Sequence, residues 1–438
     1  MHLASPLPVH CLRARVHGSP DRAREATLSL PFPRNSLRSL DPCAVPVEHI
    51  PHTLYARPRV MKLGVATQLA CELAPYALVG TTVFTAALGA PALASLTGLL
   101  TLALLVDVAL SECDPVVRLL GDAPRGAYEG KVVWITGASQ GLGEALALHL
   151  ASLGARLILS SRREGVLLKV CAACDALGAG EARPLVLDAR GGSIAASKAA
   201  KAAREMATSM AGEDAGVDYL FHVAGGSQHA AAEDTTEEVD RDMFEINVMS
   251  AIALTKAVLP GMLKRRRGVI TAVGSMAVKC PAPGQATYSA TKAALSAFCH
   301  SLRGEVADRG VFVCVAHPGP IATGLDGQRR VVFGATLEKS TCDTDATESA
   351  EAKGAETANG AVVSRNEKRL DASWTARRVA AGAAHGLDEV VLAKQPIMLL
   401  RHFMRFAPTL GFRVLNKVGP KRTRAARSGQ SMYDLKAK

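Results

Sequence analysis

The feature that most constrains this chain is a run from Pro75 to Val106 that contains no charged residue. The stretch YALVGTTVFTAALGAPALASLTGLLTLALLV exceeds the roughly 20 residues that a membrane helix needs, so it predicts at least one span. Pro91 in its middle admits one kinked helix, two short re-entrant pieces, or a single span over about 92–109 preceded by an interfacial helix. A buried soluble helix is the remaining reading. Arg57, Arg59 and Lys62 precede the run and Arg118, Arg125 and Lys131 follow it, so flanking charge gives no orientation.

Charge is distributed as unevenly as hydropathy. The formal net charge is +11, from 51 basic and 40 acidic residues. Residues 1–60 hold eight Lys or Arg against four Asp or Glu, and residues 401–438 hold ten against one, which leaves a nearly neutral middle. A near-neutral middle offers no continuous phosphate-tracking stripe, and no nucleic-acid partner is expected. Residues 1–60 mix Pro, Arg, Ser and His without periodicity and read as disordered or processed, with an organelle-targeting peptide as the alternative. Ten irregularly spaced cysteines do not form the dense framework of a small secreted domain and read as thiols. Cys171 and Cys174 make a C-x-x-C inside VLLKVCAACDAL, which has the spacing of an amphipathic helix. No second pair completes a zinc set, so no metal site is expected.

Beyond Gly130 the texture changes. The runs VVWIT, ARLILSS, ARPLVLD, DYLFHVAG, GVITAVGS and VFVCVAHPG alternate with Ala-rich helical stretches, a pattern that predicts a parallel α/β sheet with strands buried on both faces. Residues 335–370 are dominated by small and charged types without periodicity and predict a flexible surface insertion.

The first run leads straight into Gly137-Ala138-Ser139-Gln140-Gly141-Leu142-Gly143, after which EALALHLASLGA has helical spacing. Three glycines at a strand-to-helix junction let the backbone approach a pyrophosphate seated on the positive helix end. The next strand ends in Arg162 and Arg163, where an NAD-binding chain would place a carboxylate for the ribose 2′-hydroxyl. Guanidinium groups there suit a 2′-phosphate, so NADP(H) is the expected cofactor. Asp188, closing the third run, is a candidate acceptor for the adenine amino group and equally an ordinary turn residue.

Tyr288 and Lys292 lie four apart in ATYSATKAALSAFCHSLRGEV and would share one helical face. A phenol of pKa about 10 is a poor acid at neutral pH, and a nearby ammonium favours its ionised form. Lowering it by about three units corresponds to roughly 4 kcal/mol, attainable in a partly desolvated cleft. Ser275 stands thirteen residues before Tyr288 at the end of GVITAVGS, where a parallel sheet presents side chains to a ligand, and its hydroxyl would hold the substrate oxygen. Asn247 lies on another predicted helix, and spacing alone leaves it between a helix amide and a site residue.

Together TGASQGLG, YSATK, Ser275, Asn247 and HPGPIATGL resemble the short-chain dehydrogenase/reductase family over roughly residues 128–325. The resemblance implies a Rossmann-like doubly wound sheet, with Tyr288 as general acid/base and Lys292 on the nicotinamide ribose. It further implies Ser275 orienting the carbonyl and Asn247 holding a water in a proton relay. Ala224 and Gly225 would approach the adenine ribose, and Pro318, Gly319, Ile321 and Thr323 match the family's turn beside the carboxamide. The chain departs from the usual Asn-Asn-Ala-Gly by reading His222-Val223-Ala224-Gly225, which questions how that strand end is braced. The apolar segment and the C-terminal tail are similar to the family's membrane-bound dehydrogenase/reductase subgroup. That similarity implies an endoplasmic reticulum membrane and a lipophilic carbonyl or alcohol such as a steroid, retinoid or keto lipid.

The expected layout is an N-terminal extension 1–60, a membrane anchor region 61–125, a catalytic domain 126–334, and an insertion 335–370 near the substrate lid. A C-terminal part of the catalytic domain follows at 371–394 and a basic amphipathic tail at 395–438. The tail interleaves large apolar residues with Arg401, Arg405 and Arg413, as in a helix lying in a bilayer interface, against a plain packed helix. The activity expected is NADPH-dependent carbonyl reduction or alcohol oxidation, with a homodimer as a compatible assembly. A 3-ketosphinganine-type lipid reductase and a non-catalytic NADPH-binding scaffold are the alternatives.

Overall fold

The computed structural model describes Thr67 and residues 77–322, 332–333 and 369–428. The expectations for residues 1–60, for Thr323 and for nearly all of the 335–370 insertion lie outside the described residues.

Seven strands form one parallel sheet: β1 Val132–Thr136, β2 Arg156–Ser161, β3 Glu181–Val186, β4 Tyr219–His222, β5 Gly268–Val273, β6 Val311–Pro318 and β7 Glu389–Leu392. Their order across the sheet is β7-β6-β5-β4-β1-β2-β3. The six runs read from the sequence are the first six strands; β7 is the addition. Successive side chains of a strand point to opposite faces. Val133 and Ile135 accordingly enter one core with Leu157, Leu159 and Phe221, and Val132 and Trp134 enter the other with Ile158, Leu220 and Ile270.

Six helices of the domain cover these faces. Helices α4 Gly141–Ser152, α5 Glu164–Ala176 and α10 Ala372–His385 pack on the first core. Helices α6 Gly192–Ala211, α8 Ser250–Arg265 and α9 Ala286–Glu305 pack on the second. The sheet is therefore doubly wound, with its strand ends converging on the crevice between β1 and β4. Asp371 starts α10 by accepting from the Trp374 backbone N–H at 2.7 Å, which satisfies a donor the helix itself leaves unpaired. Cys171 and Cys174 lie on α5 as buried thiols, and burial pushes them up to about 11 and about 12.

Helix α7 Glu237–Phe244 runs through a π turn at Glu245–Met249 into α8. Among the described residues this is the helix long and apolar enough to cross a membrane by length and composition. Its apolar stripe is already occupied: Leu254, Val258 and Met262 are buried in the second core, and Val239 and Met243 in a small cluster against Tyr288. It is a core helix.

The uncharged run forms two helices, α1 Ala77–Ala87 and α2 Pro91–Leu110. After the short α3 Pro115–Leu120 comes the sheet. At the far end α11 Ile397–Phe406 and α12 Pro408–Arg427 make up the described part of the tail. These two bury Met398, Gly411, Gly419 and Ala425 while exposing Phe406, Leu410 and Phe412. The tail is thus both packed helix and exposed apolar surface.

Candidate active site

The turn after β1 is shaped by what cannot fit there. Gly137 has φ +70°, and a Cβ on it would lie 2.7 Å from the Ala224 backbone. The Ala138 N–H donates to Ser160 O at 3.1 Å, which ties the turn to β2. Ser139 and Gln140 follow, and α4 opens at Gly141 and Leu142 with its first N–H groups facing the crevice end, an arrangement that favours an anion.

Of the two arginines after β2, one reaches this turn. Arg163 donates through Nη2 to Ser139 Oγ at 3.1 Å and to Gln140 Oε1 at 2.7 Å. Arg162 is exposed to solvent. Asp188 is exposed as well, and its carboxylate accepts from the Arg190 backbone N–H at 3.0 Å, capping the short turn Ala189–Gly191.

The departure at His222-Val223 is compensated locally. Thr136 Oγ1 accepts from both the Val223 and Ala224 backbone N–H groups at 3.2 Å. The His222 Nε2 lies 2.9 Å from Thr255 Oγ1, and burial lowers this imidazole to about 4. Thr136 and Thr255 supply the bracing that amides would have given. Nothing in sequence spacing marks them.

Four residues named from the sequence converge at the ends of β4 and β5. Lys292 on α9 is buried, and its Nζ donates to Val273 O at 2.9 Å while standing 6.0 Å from the centroid of the Tyr288 ring. Burial lowers this ammonium to about 8. Tyr288 is half-buried against Val239, Met243 and Ile246. Ser275 Oγ accepts from the Ala277 N–H at 3.1 Å, so its own hydroxyl proton points elsewhere. Asn247 sits in the π turn, a distortion that recurs at functional sites. Its Nδ2 donates to Gly226 O and Thr291 Oγ1, each at 3.0 Å, and its Oδ1 accepts from Gly226 N at 2.8 Å. Gly225 stands between these groups: a Cβ there would meet Asn247 Oδ1 at 2.9 Å and Lys292 Nζ at 3.2 Å.

After Pro318, Gly319 N–H donates to Leu392 O at 2.6 Å, and Ile321 and Ala322 pair in parallel with Leu370 and Asp371. Behind Ser275 lies an ion cluster that the sequence did not reveal. Glu389 Oε1 faces Lys279 Nζ at 2.9 Å, His300 Nε2 at 3.1 Å and His317 Nε2 at 3.5 Å, and His317 Nδ1 is 3.3 Å from Ser275 O. Burial pushes the Glu389 carboxyl up, but His317 and Lys279 outweigh it and hold it well below the usual carboxylate range.

The sequence pattern described as short chain dehydrogenase matches residues 131–331. Over 320 residues the chain is 30% identical to "Dehydrogenase/reductase SDR family member 7" of Homo sapiens, covering 70% of this chain and 84% of that protein. The chain belongs to the short-chain dehydrogenase family. It is also 40% identical over 205 residues to a Drosophila melanogaster "Dehydrogenase/reductase SDR family protein 7-like", covering 46% of this chain and 60% of that one. With the Mus musculus "Dehydrogenase/reductase SDR family member 7B" it shares 36% over 236 residues, 51% of this chain and 69% of the relative. As a short-chain dehydrogenase the protein is an oxidoreductase with a nicotinamide cofactor and a small-molecule substrate.

Proposed function

We propose that this short-chain dehydrogenase is an NADPH-dependent carbonyl reductase, reversible as an alcohol dehydrogenase. Its substrate is a lipophilic ketone, aldehyde or alcohol, and Tyr288 is the general acid/base. The observation that carries the reading is the buried Lys292 ammonium, fixed on Val273 O at 2.9 Å and one helical turn from Tyr288. A cation held there favours the phenolate, and so lets the phenol give up its proton near neutral pH.

The dinucleotide would supply a hydride donor or acceptor. The residues present fit it: Gly137 and Gly225 leave the crevice floor without side chains, and α4 turns its N-terminus toward it. Arg163, steadied by Ser139 and Gln140, is the group suited to a 2′-phosphate; Arg162 is free to join it from solvent. Ser275 donates its hydroxyl proton to the substrate oxygen and Tyr288 passes a proton to the same atom. Asn247, locked at both ends of its amide, keeps Gly226 and the segment of α9 around Thr291 in register with them.

Lipophilic substrates and a membrane setting, the endoplasmic reticulum in the closest reading, are supported by where the exposed apolar helices start. The segment leaving α2 is hydrogen-bonded to the far end of β7 through Asp114 N to Val391 O at 3.0 Å and Ala393 N to Glu112 O at 2.8 Å. That is the C-terminal end of the sheet, where Ser275 and Pro318 also lie, so lipid-facing surface and crevice share one end of the domain. The test is cofactor consumption by the detergent-solubilised chain, with NADPH and NADH, against ketosteroids, retinaldehydes and long-chain keto bases. NADPH-linked turnover of at least one lipophilic class, lost in Tyr288→Phe, is the expected result. Turnover retained in Tyr288→Phe, or equal use of NADH, overturns the reading.

A further inference from the structure

We infer that α1 and α2 form a lipid-immersed hairpin that enters and leaves the bilayer through the same face, so that the chain before Ala77 and the catalytic domain lie on one side of the membrane. This rests on the membrane setting proposed above and goes beyond it, since a single crossing would place the two on opposite sides.

The first observation is that the pair is packed inside out. Among the described side chains of the two helices Thr85 and Thr97 are the buried ones, and Gly98 lies against the Thr82 methyl, 3.9 Å from where a Cβ would stand. Val83, Phe84, Leu88, Leu96 and Leu99 are each more than half exposed. In water the hydrophobic effect drives the reverse arrangement, with large apolar groups inside and hydroxyls out. Small residues between helices and large apolar ones outside is the arrangement of helices in lipid. The threonines need no water: Thr82, Thr85 and Thr97 donate their hydroxyls to Leu78 O, Thr81 O and Leu93 O at 2.8, 2.8 and 3.0 Å.

Length supplies the second observation. Between Glu72, the last charge before the run, and the Gly89 turn lie 16 uncharged residues, about 24 Å as helix at 1.5 Å per residue. A bilayer core is about 30 Å thick and takes about 20 apolar residues to cross. From Ala90 to Val106, before Asp107, the second arm has 17 uncharged residues, so each arm falls short of a full crossing.

The turn between the helices is the third. A turn inside hydrocarbon must satisfy its own backbone. Here Leu88 N donates to Phe84 O at 3.0 Å, Gly89 N to Ala86 O at 3.1 Å and Ala90 N to Thr85 O at 3.1 Å, with Gly89 at φ +68° closing the helix. All three donors at the tip have protein acceptors. The other end of the hairpin is fixed outside lipid: the segment after α2 pairs with β7, and Asp114 Oδ2 meets Arg401 Nη2 at 3.3 Å.

The experiment translates the full chain, tagged with an epitope at each end, into sealed membrane vesicles, and adds a Leu88→Cys version. Carbonate washing first asks whether the chain stays with the membrane. Protease then reads the side of each tag, and an impermeant maleimide reads the tip against the chain with Leu88 intact. The expected result is retention through the wash, both tags digested or protected together, and Leu88→Cys labelled only after detergent. Tags on opposite sides mean a single crossing and overturn the hairpin while leaving the membrane setting intact. Labelling of Leu88→Cys from the side opposite the tags means two crossings and overturns it equally. Release by the wash, with the apolar faces buried between two copies of the chain, overturns the membrane setting itself.

Discussion

The His222 imidazole lies 2.9 Å from the Thr255 hydroxyl in a fully buried position at the end of β4, and burial lowers it to about 4. An unfolded histidine binds its proton near pH 6.5. Between those values only the unfolded chain takes up a proton, so stability is present above about pH 6.5 and is lost as the pH falls toward 4. The loss should total about 3 kcal/mol. His222→Asn keeps a partner for Thr255 and removes that titration. Urea midpoints at neutral and acid pH should converge in the variant and diverge in the parent; the same pH dependence in both would show that His222 contributes no such slope.

Arg163 is predicted to set the choice between the two nicotinamide dinucleotides. Arg163→Asp removes the guanidinium that Ser139 and Gln140 steady and places a carboxylate where a ribose 2′-hydroxyl would donate. NADPH affinity should fall about a hundredfold, corresponding to roughly 3 kcal/mol for a charge-assisted contact, while NADH affinity rises. Nucleotide fluorescence titration reads both. Arg162→Ala, at a solvent-exposed position, should have the smaller effect.

Tyr288→Phe should lower kcat about a thousandfold while cofactor affinity stays within about a factor of two, because only the proton donor is removed. Single-turnover rates and nucleotide binding, measured on the same preparation, separate the two.

Lys292 carries an energetic cost that its proposed role explains. Burial lowers it from the ordinary lysine value to about 8. The unfolded chain holds that proton up to about pH 10.4, so below about pH 8 the buried charge weakens the fold, and stability recovers as the pH rises through that interval. Lys292→Met should therefore raise stability at neutral pH by about 1–3 kcal/mol and abolish turnover. Thermal melts at pH 7 and pH 10 should show the gain at the lower pH and a smaller one at the higher. A variant less stable than the parent at pH 7 would contradict this. In the parent, carbonyl reduction should decline above about pH 8 as the ammonium discharges.

The sheet was legible because strands buried on both faces read as apolar runs, and six of the seven did. The seventh, Glu389–Leu392, opens on a glutamate and its apolar run is cut off at Lys394, whereas the equally short fourth strand sits in the longer run DYLFHVAG. Ser275, Tyr288 and Lys292 were legible because their separations along the chain are those of one strand end and one helical face. Thr136 and Thr255 were not, since they meet His222 and Val223 only through the parallel stacking of β1, β4 and α8. Neighbouring Arg162 and Arg163 are indistinguishable by position; the strand end turns one to the glycine-rich loop and the other to water. Spacing alone leaves Asn247 between an ordinary helix amide and a site residue. The extra residue of the π turn, which aims it at Gly226, leaves no trace in hydrophobic spacing.

The pairing of Ile321–Ala322 with Leu370–Asp371 sets the two ends of a long excursion side by side next to Gly319. Closing a loop whose ends already touch depends only weakly on how many residues lie between them. The number of residues between Ala322 and Leu370 can therefore change at little energetic cost without re-registering any strand of the seven-stranded sheet, and the Gly319 turn keeps its place whatever their count.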